Sequence, residues 1–348
     1  QDSVYNMIYR LDAMEAYNKK LVKKIAIKGI SVTGSTATEG YVYLESINLS
    51  KGNPTATIEF DVKGASGVRK ATRIVGEGYN LFPNSGELAE YKNGYTVLRI
   101  DGRDSSIEFT NGIKLFAGDV IGAVSDDQLR RIQIRETILS HIERERQLFY
   151  KGIKVLSLFF IDEVAKYKLY DAAVQAFNGL YADIFEEEYK QVIGNLQLAF
   201  GDGDEYLKYL DGITAEDTHA GYFSIDKKSH RMIDSKLGDR RERTSDDADA
   251  YDLIMKNKER LLDRREPVRF IFSHSALREG WDNPNVFQIC TLRDIGTERE
   301  RRQTIGRGLR LAVKSKGVDK GHRVRGFEIN TLTVIATESY EEFAENLQ

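Results

Sequence analysis

The chain reads as an α/β protein, a parallel sheet flanked by helices, preceded by a β-rich antiparallel insert. Three features of its 348 residues point that way. Between about residues 26 and 125 apolar and polar residues alternate with a period of two, the mark of strands buried on one face. After residue 126 short continuous apolar runs alternate with stretches of helical spacing, as strands covered on both faces and linked by crossover helices do. A composition of 41% hydrophobic and 30% charged residues supports two or three packed cores and excludes wholesale disorder.

Residues 1–25 carry Val4, Ile8, Leu11, Met14, Leu21, Val22 and Ile25 at three- and four-residue spacing, which predicts a linking helix with one buried face. In the insert, residues 26–125, the runs Thr57 to Val62 and Tyr95 to Ile100 are the clearest strands. Asp101-Gly102 and Asn111-Gly112 stand between strand-like runs and tolerate the positive φ of tight hairpin turns, so a small barrel or curled sheet is expected.

The third region, 126–348, opens with a helix bearing Leu129, Ile132, Ile138, Leu139, Ile142 and Leu148 on one side. The run Lys154 to Ile161 suits a strand covered on both faces. A second helix is expected over about 163–200, then a charged insertion over about 201–266, whose part from 239 onward reads as exposed helix and loop. Val268 to Phe272, Val286 to Leu292 and Leu332 to Ile335 predict further strands, with a helix over about 299–311 and right-handed crossovers between strands. Ser339 and Glu342 have the spacing of a helix-capping box, yet the chain stops at Gln348, so a piece of a longer protein is expected.

No run of about 18 apolar residues and no charged leader with an apolar signal core occur, which predicts a cytoplasmic protein without a membrane partner. The single cysteine, Cys290, excludes a disulfide framework and sits in an apolar run, as a buried inert thiol does. The five histidines are scattered, so no metal site is expected. The net charge is −3, but between Arg293 and Arg325 eleven Lys or Arg face four acids, an excess of seven positive charges. Such a segment is the footprint that a polyphosphate partner requires, and equally the composition of a solvated face.

Two segments carry chemistry. In Gln303-Thr304-Ile305-Gly306-Arg307-Gly308-Leu309-Arg310, a helix would project Gln303, Arg307 and Arg310 from one face while Gly306 leaves room for close approach. Arginine suits this position because its guanidinium stays charged and holds phosphate oxygens with two parallel hydrogen bonds. About twenty residues earlier, Ser273 to Val286 reads as a strand ending in hydroxyl residues, a short helix, and a glycine turn beside Pro284. Hydroxyls and backbone amides at such a loop can hold a nucleic-acid phosphate without reading bases. Trp281 alone reads as a packed core aromatic and Asp282 alone as a turn residue.

Together these segments resemble motifs V and VI of superfamily 2 helicases, in that order, with Gln303, Gly306-Arg307 and Arg310 matching motif VI. With Leu156 to Phe160 as the motif IV strand and the Gly221-Tyr222-Phe223-Ser224 neighbourhood, the chain resembles the Res subunit of type III restriction-modification enzymes over roughly 126–337. The opening helix resembles it more loosely, through Tyr9 to Asp12 and Leu21 to Lys24. The resemblance implies a RecA-like second helicase domain over 126–348. It makes Arg307 and Arg310 arginine fingers toward the ATP γ-phosphate and places Gln303, Gly306, Gly280 and Asp282 at the nucleotide site. Ser273, Ser275 and Arg278 become candidates for DNA backbone contact.

The implied cofactors are ATP and Mg2+ in the complete enzyme, with neither bound tightly by this chain. The implied partners are double-stranded DNA, an upstream first RecA-like domain and a methyltransferase (Mod) subunit. No Gly-Lys dipeptide occurs, so there is no phosphate-cradling loop of the usual kind, and no ATP hydrolysis is expected of the chain alone. Asp162-Glu163 after an apolar strand looks like a magnesium-holding acidic pair, but no phosphate loop precedes it and motifs V and VI follow, so it is not assigned that role. The nuclease centre implied by the family is expected past Gln348. Other readings are a repair or RNA helicase with the same motifs, or a DNA-binding module without catalysis. The insert is expected to brace the duplex or the partner.

Overall fold

The computed structural model describes residues 12–32, 40–49, 52–171, 173, 175–200, 204–225, 232–233, 258–274, 283–293 and 297–337. Two compact units emerge among them: an α/β unit from residues 12–27 and 130–336, and a β unit from 28–129 with residue 337.

The chain enters through helix α1 (Ala13–Asn18), whose N-cap Asp12 accepts a hydrogen bond from the Glu15 amide at 2.8 Å. Lys20, at φ 53°, turns the chain out of the helix, and strand β1 (Lys24–Val32) follows. The opening helix thus stops short of the expected span: Leu21 and Val22 lie beyond it and Ile25 is a buried strand residue. Val22, Ile25 and Ile27 are β-branched and favour the extended chain, a preference the three-and-four spacing concealed.

In the β unit, β2 (Val42–Asn48), β3 (Thr55–Gly64) and β4 (Gly67–Val75) form an antiparallel meander. After α2 (Leu81–Asn84), strands β5 (Val97–Asp101), β6 (Ser106–Phe109) and β7 (Lys114–Phe116) make a second antiparallel sheet. Strand β8 (Asp119–Ile121) then pairs parallel to the end of β1 and antiparallel to β2. The inward residues Val42, Leu44, Ile58, Phe60, Tyr95 and Phe109 build one core around Tyr91. The Tyr91 hydroxyl donates to Tyr41 O at 2.6 Å and accepts from the Asp61 amide at 2.9 Å, so the phenol carries no unmet polar group. The hairpin turns are longer than the two-residue turns expected. Asp101 pairs with Ser106, and the Phe109 amide bonds Ile113 O. Positive φ falls on Ser105 and Gly112, whereas Gly102 packs against Leu49.

The α/β unit is built on α3 (Asp126–Phe149), β9 (Leu156–Phe160), the hairpin β10 (Lys168–Tyr170) and β11 (Ala176–Asn178), α4 (Leu180–Phe200) and α5 (Glu205–Asp211). It continues with β12 (His219–Tyr222), the ribbon β13 (Ser224–Ile225) and β14 (Met232–Ile233), α6 (Lys258–Leu261), β15 (Phe270–Ser273) and β16 (Val286–Thr291). Helix α7 (Glu298–Gly306) and β17 (Thr331–Thr337) complete it. The sheet order is β12-β15-β9-β16-β17 with every pairing parallel, so β9 is central and all five of its residues are buried.

Two expectations need correction here. The helix expected over 163–200 begins only at Leu180, because a short turn and the β10–β11 hairpin come first. Gly179 also lies so close to the backbone of Ala165 and Lys166 that no side chain fits there. The polar insertion over 201–266 contains α5 and the edge strand β12, whose four residues His-Ala-Gly-Tyr are too short and too mixed to show a period. Residues 226–231 and 234–257 of that insertion lie outside the described residues.

Helix α3 buries more than one apolar stripe. Arg135 pairs with Glu188 of α4 at 2.6 Å, Gln133 donates to Thr291 O at 3.0 Å, and His141 Nδ1 lies 2.8 Å from Ser157 Oγ of β9. Glu145 accepts from Arg269 at 2.7 Å and from the Tyr206 hydroxyl at 2.9 Å.

Candidate phosphate-handling face

Helix α7 follows the C-terminal end of β16, and the loop after it returns to the N-terminal end of β17. At the end of β16, Thr291 has its carbonyl held by Gln133, and Arg293 pairs with Glu300 on α7. Thr297 caps α7, its hydroxyl accepting from the Glu300 amide at 3.3 Å, and the buried Thr304 donates back to Glu300 O at 2.9 Å. With Thr304 and Ile305 turned inward, Gln303 and Gly306 are exposed.

Helix α7 ends at Gly306, earlier than the expected residue 311. Arg307 is its half-buried C-cap and Arg310 lies exposed in the loop beyond, so the two arginines and Gln303 share no continuous helical face. The glycines divide their roles differently from the sequence reading. A Cβ at Gly306 would meet no heavy atom within 4 Å, whereas one at Gly308 would lie 2.5 Å from Leu332 Cδ1 and 3.2 Å from Ile289 Cδ1. Close packing within the chain therefore requires Gly308, and Gly306 faces open space.

Beyond α7 the backbone is irregular, and buried side chains satisfy it. The Lys23 ammonium donates to Pro284 O at 2.6 Å, Gly308 O at 3.1 Å and Arg310 O at 2.6 Å. Asn285 brackets Val313 through both its carbonyl, at 2.8 Å, and its amide, at 3.0 Å. Asn330 accepts from the Ala312 amide at 2.8 Å and donates to Val324 O at 2.8 Å. Between these anchors a hairpin-like loop, tied by Val313 and Arg323 and by the Lys314 amide on His322 O at 3.1 Å, exposes Lys316, Lys320, Arg323 and Arg325. Lys23, Asn285 and Asn330 escaped sequence reasoning, since a polar residue beside a strand gives no signal that it is buried against distant carbonyls.

Of the remaining candidates, Ser275, Arg278, Gly280 and Asp282, with Trp281, lie outside the described residues. Ser273 closes β15 with its side chain buried, and its carbonyl accepts from the Ile161 amide at 2.9 Å. Burial pushes the Asp162 carboxyl up, but the Lys166 ammonium bonded to it outweighs this and holds it below its usual range. Cys290 is buried, and burial raises its thiol to about 12, far from the reactive thiolate range. Among the described residues no group of three or more His, Cys, Asp and Glu could hold a metal ion, and no helix is long and apolar enough to cross a membrane.

No protein-family model matches the chain. Individual relatives do, among them three restriction-modification proteins. The Res subunit of the type III enzyme EcoPI from Escherichia phage P1 is 32% identical over 314 residues, 88% of this chain and 29% of that protein. The EcoP15I Res subunit from Escherichia coli is 32% identical over 315 residues, with the same coverage. The StyLTI Res subunit from Salmonella typhimurium is 31% identical over 269 residues, 68% of this chain and 25% of that protein. The chain belongs with these Res subunits of type III restriction-modification enzymes, of whose length it spans under a third. Among solved structures, a fragment of an HsdR subunit of a type I restriction enzyme from Vibrio vulnificus YJ016 is 12% identical and covers 62% of this chain and 30% of its own, with a TM-score of 0.29, too loose to define the fold.

Proposed function

We propose that this chain is the second motor lobe of an ATP-dependent DNA translocase, the RecA-like C-terminal helicase region of a type III Res subunit. The observation that carries the reading is the end of α7: Gln303 and Gly306 are exposed, the space over Gly306 is open, and Arg307 and Arg310 follow at once. Such a surface suits the approach of a nucleotide bound on another domain. Arg307 and Arg310 would meet the γ-phosphate and offset the charge that grows there in the transition state. Gln303 would help orient them, and Gly280 and Asp282 would join the nucleotide cleft to the DNA track.

The guanidinium donors fit the phosphates of ATP. Mg2+ and the phosphate-cradling loop belong to an upstream first RecA-like domain in this reading. Ser275 and Arg278 are proposed contacts to the backbone of double-stranded DNA, whereas Ser273 is buried and is not put forward as one. A methyltransferase (Mod) partner would supply the recognition sequence and a separate nuclease domain the cleavage.

The test is DNA-stimulated ATP hydrolysis by a complete Res subunit carrying this chain, assembled with its partner. Arg307→Ala should lower kcat on the order of 10³-fold while duplex DNA still binds. The chain alone should show no turnover above an Arg307→Ala control. If Arg307→Ala and Arg310→Ala abolish DNA binding and leave turnover per bound enzyme intact, the chain is a DNA clamp and the motor reading is wrong.

A further inference from the structure

Lys23 is 1% exposed, so its ammonium has left water entirely. An ammonium has three donors, and here each has its own backbone carbonyl: Pro284 O, Gly308 O and Arg310 O. The Phe287 ring lies 4.7 Å from the same nitrogen, an arrangement in which the ring face attracts the cation. The main chain of Lys23 adds a fourth tie, its amide donating to Leu309 O at 2.9 Å. One residue therefore holds three consecutive carbonyls, those of Gly308, Leu309 and Arg310, and joins them to Pro284 at the foot of β16. Burial lowers the amine well below its ordinary value, which is the cost of keeping a cation there. An apolar side chain of the same length would fill the volume without that cost, so packing alone gives no reason for a lysine.

We propose that Lys23 is a positioning residue for ATP turnover: its ammonium fixes the backbone from which Arg310 projects and locks it to Pro284, just before β16. The inference rests on the reading of Arg310 as a γ-phosphate contact. Without the ammonium, the carbonyls of Pro284, Gly308 and Arg310 lose the donor that holds them together, the loop after α7 relaxes, and the guanidinium is displaced from its working geometry. A displacement of about 1 Å costs on the order of 10²-fold in rate.

The experiment compares Lys23→Met, Lys23→Gln, Arg310→Ala and the Lys23→Met/Arg310→Ala pair in a complete Res subunit carrying this chain, with its partner and duplex DNA, reading kcat and KM for ATP separately. Lys23→Met should lower kcat between roughly 10- and 100-fold with KM changed far less, and the double variant should be no slower than Arg310→Ala, because Lys23 acts through Arg310. Parental kcat in folded Lys23→Met, or a double variant slower by the product of the two single effects, overturns the proposal and leaves the arginine reading standing. Loss of the fold in both Lys23 variants also overturns it, since Lys23 is then a stability group. Parental turnover in Arg310→Ala refutes the arginine reading itself, a result separable from any behaviour of Lys23.

Discussion

At Arg269 a guanidinium is completely buried, with Glu145 at 2.7 Å and the Tyr189 hydroxyl against it. Burial raises the Glu145 carboxyl, but the charge of Arg269, the neighbouring His141 and the hydrogen bond from Tyr206 overcome it and bring the group down to about 2. Removing one member leaves the other charged and unpaired in the core, so Arg269→Met should cost about 3–5 kcal/mol of stability, read from urea unfolding. The pair also sets an acid limit. Because the folded-state value of Glu145 is depressed below its ordinary 4.5, its contribution is complete above that value and is lost as pH falls toward 2. Thermal midpoints measured between pH 6 and pH 3 should fall, and Glu145→Gln should start lower and flatten that fall. An equal slope in the variant would assign the acid sensitivity to other carboxylates. Neither residue looked buried in the sequence, because each is a charge within an otherwise ordinary helix or strand edge.

At the scale of elements, the end of α7 separates a packing glycine from an open one. Gly308→Ala drives a methyl into Leu332 and Ile289 and should destabilise by about 1–3 kcal/mol. Gly306→Ala meets nothing within 4 Å and removes the flexibility of a helical glycine, so it should raise the thermal midpoint, by up to about 1 kcal/mol of stability. If Gly306 faces a nucleotide, the same change should nonetheless slow ATP turnover in the complete enzyme; stability gained with turnover unchanged would remove Gly306 from the site. The strands β9, β15 and β16 were legible in sequence because residues buried on both faces leave largely apolar runs. Strand β12 was not, since a four-residue edge strand of His, Ala, Gly and Tyr has no period to read. The motif around Gln303 to Arg310 was legible as a pattern. Its helical extent was not, because the turn after Gly306 depends on carbonyls satisfied by Lys23, which lies 285 positions away from Gly308 in sequence.

Over the whole molecule, charge is segregated. The net charge is −3, yet residues 293–325 carry an excess of seven positive charges. Part of that excess is locally neutralised, as where Arg293 meets Glu300 and Lys314 meets Asp319 at 2.7 Å. Lys316, Lys320, Arg323 and Arg325 stand exposed on the loop that follows α7. A polyanion should therefore be drawn to this loop although the chain as a whole is acidic, and the attraction should be steeply salt-dependent because binding releases counterions. Replacing these four residues by alanine should weaken duplex binding similarly for unrelated sequences, as the removal of phosphate-binding cations does. It should also make the plot of log affinity against log salt shallower by about 0.9 for each phosphate no longer neutralised. Fluorescence anisotropy with two unrelated duplexes between 50 and 200 mM salt, a range of roughly the kind over which such effects are resolved, checks both points. An unchanged slope would make the loop a solvated face and leave Ser275 and Arg278 as the proposed DNA contacts.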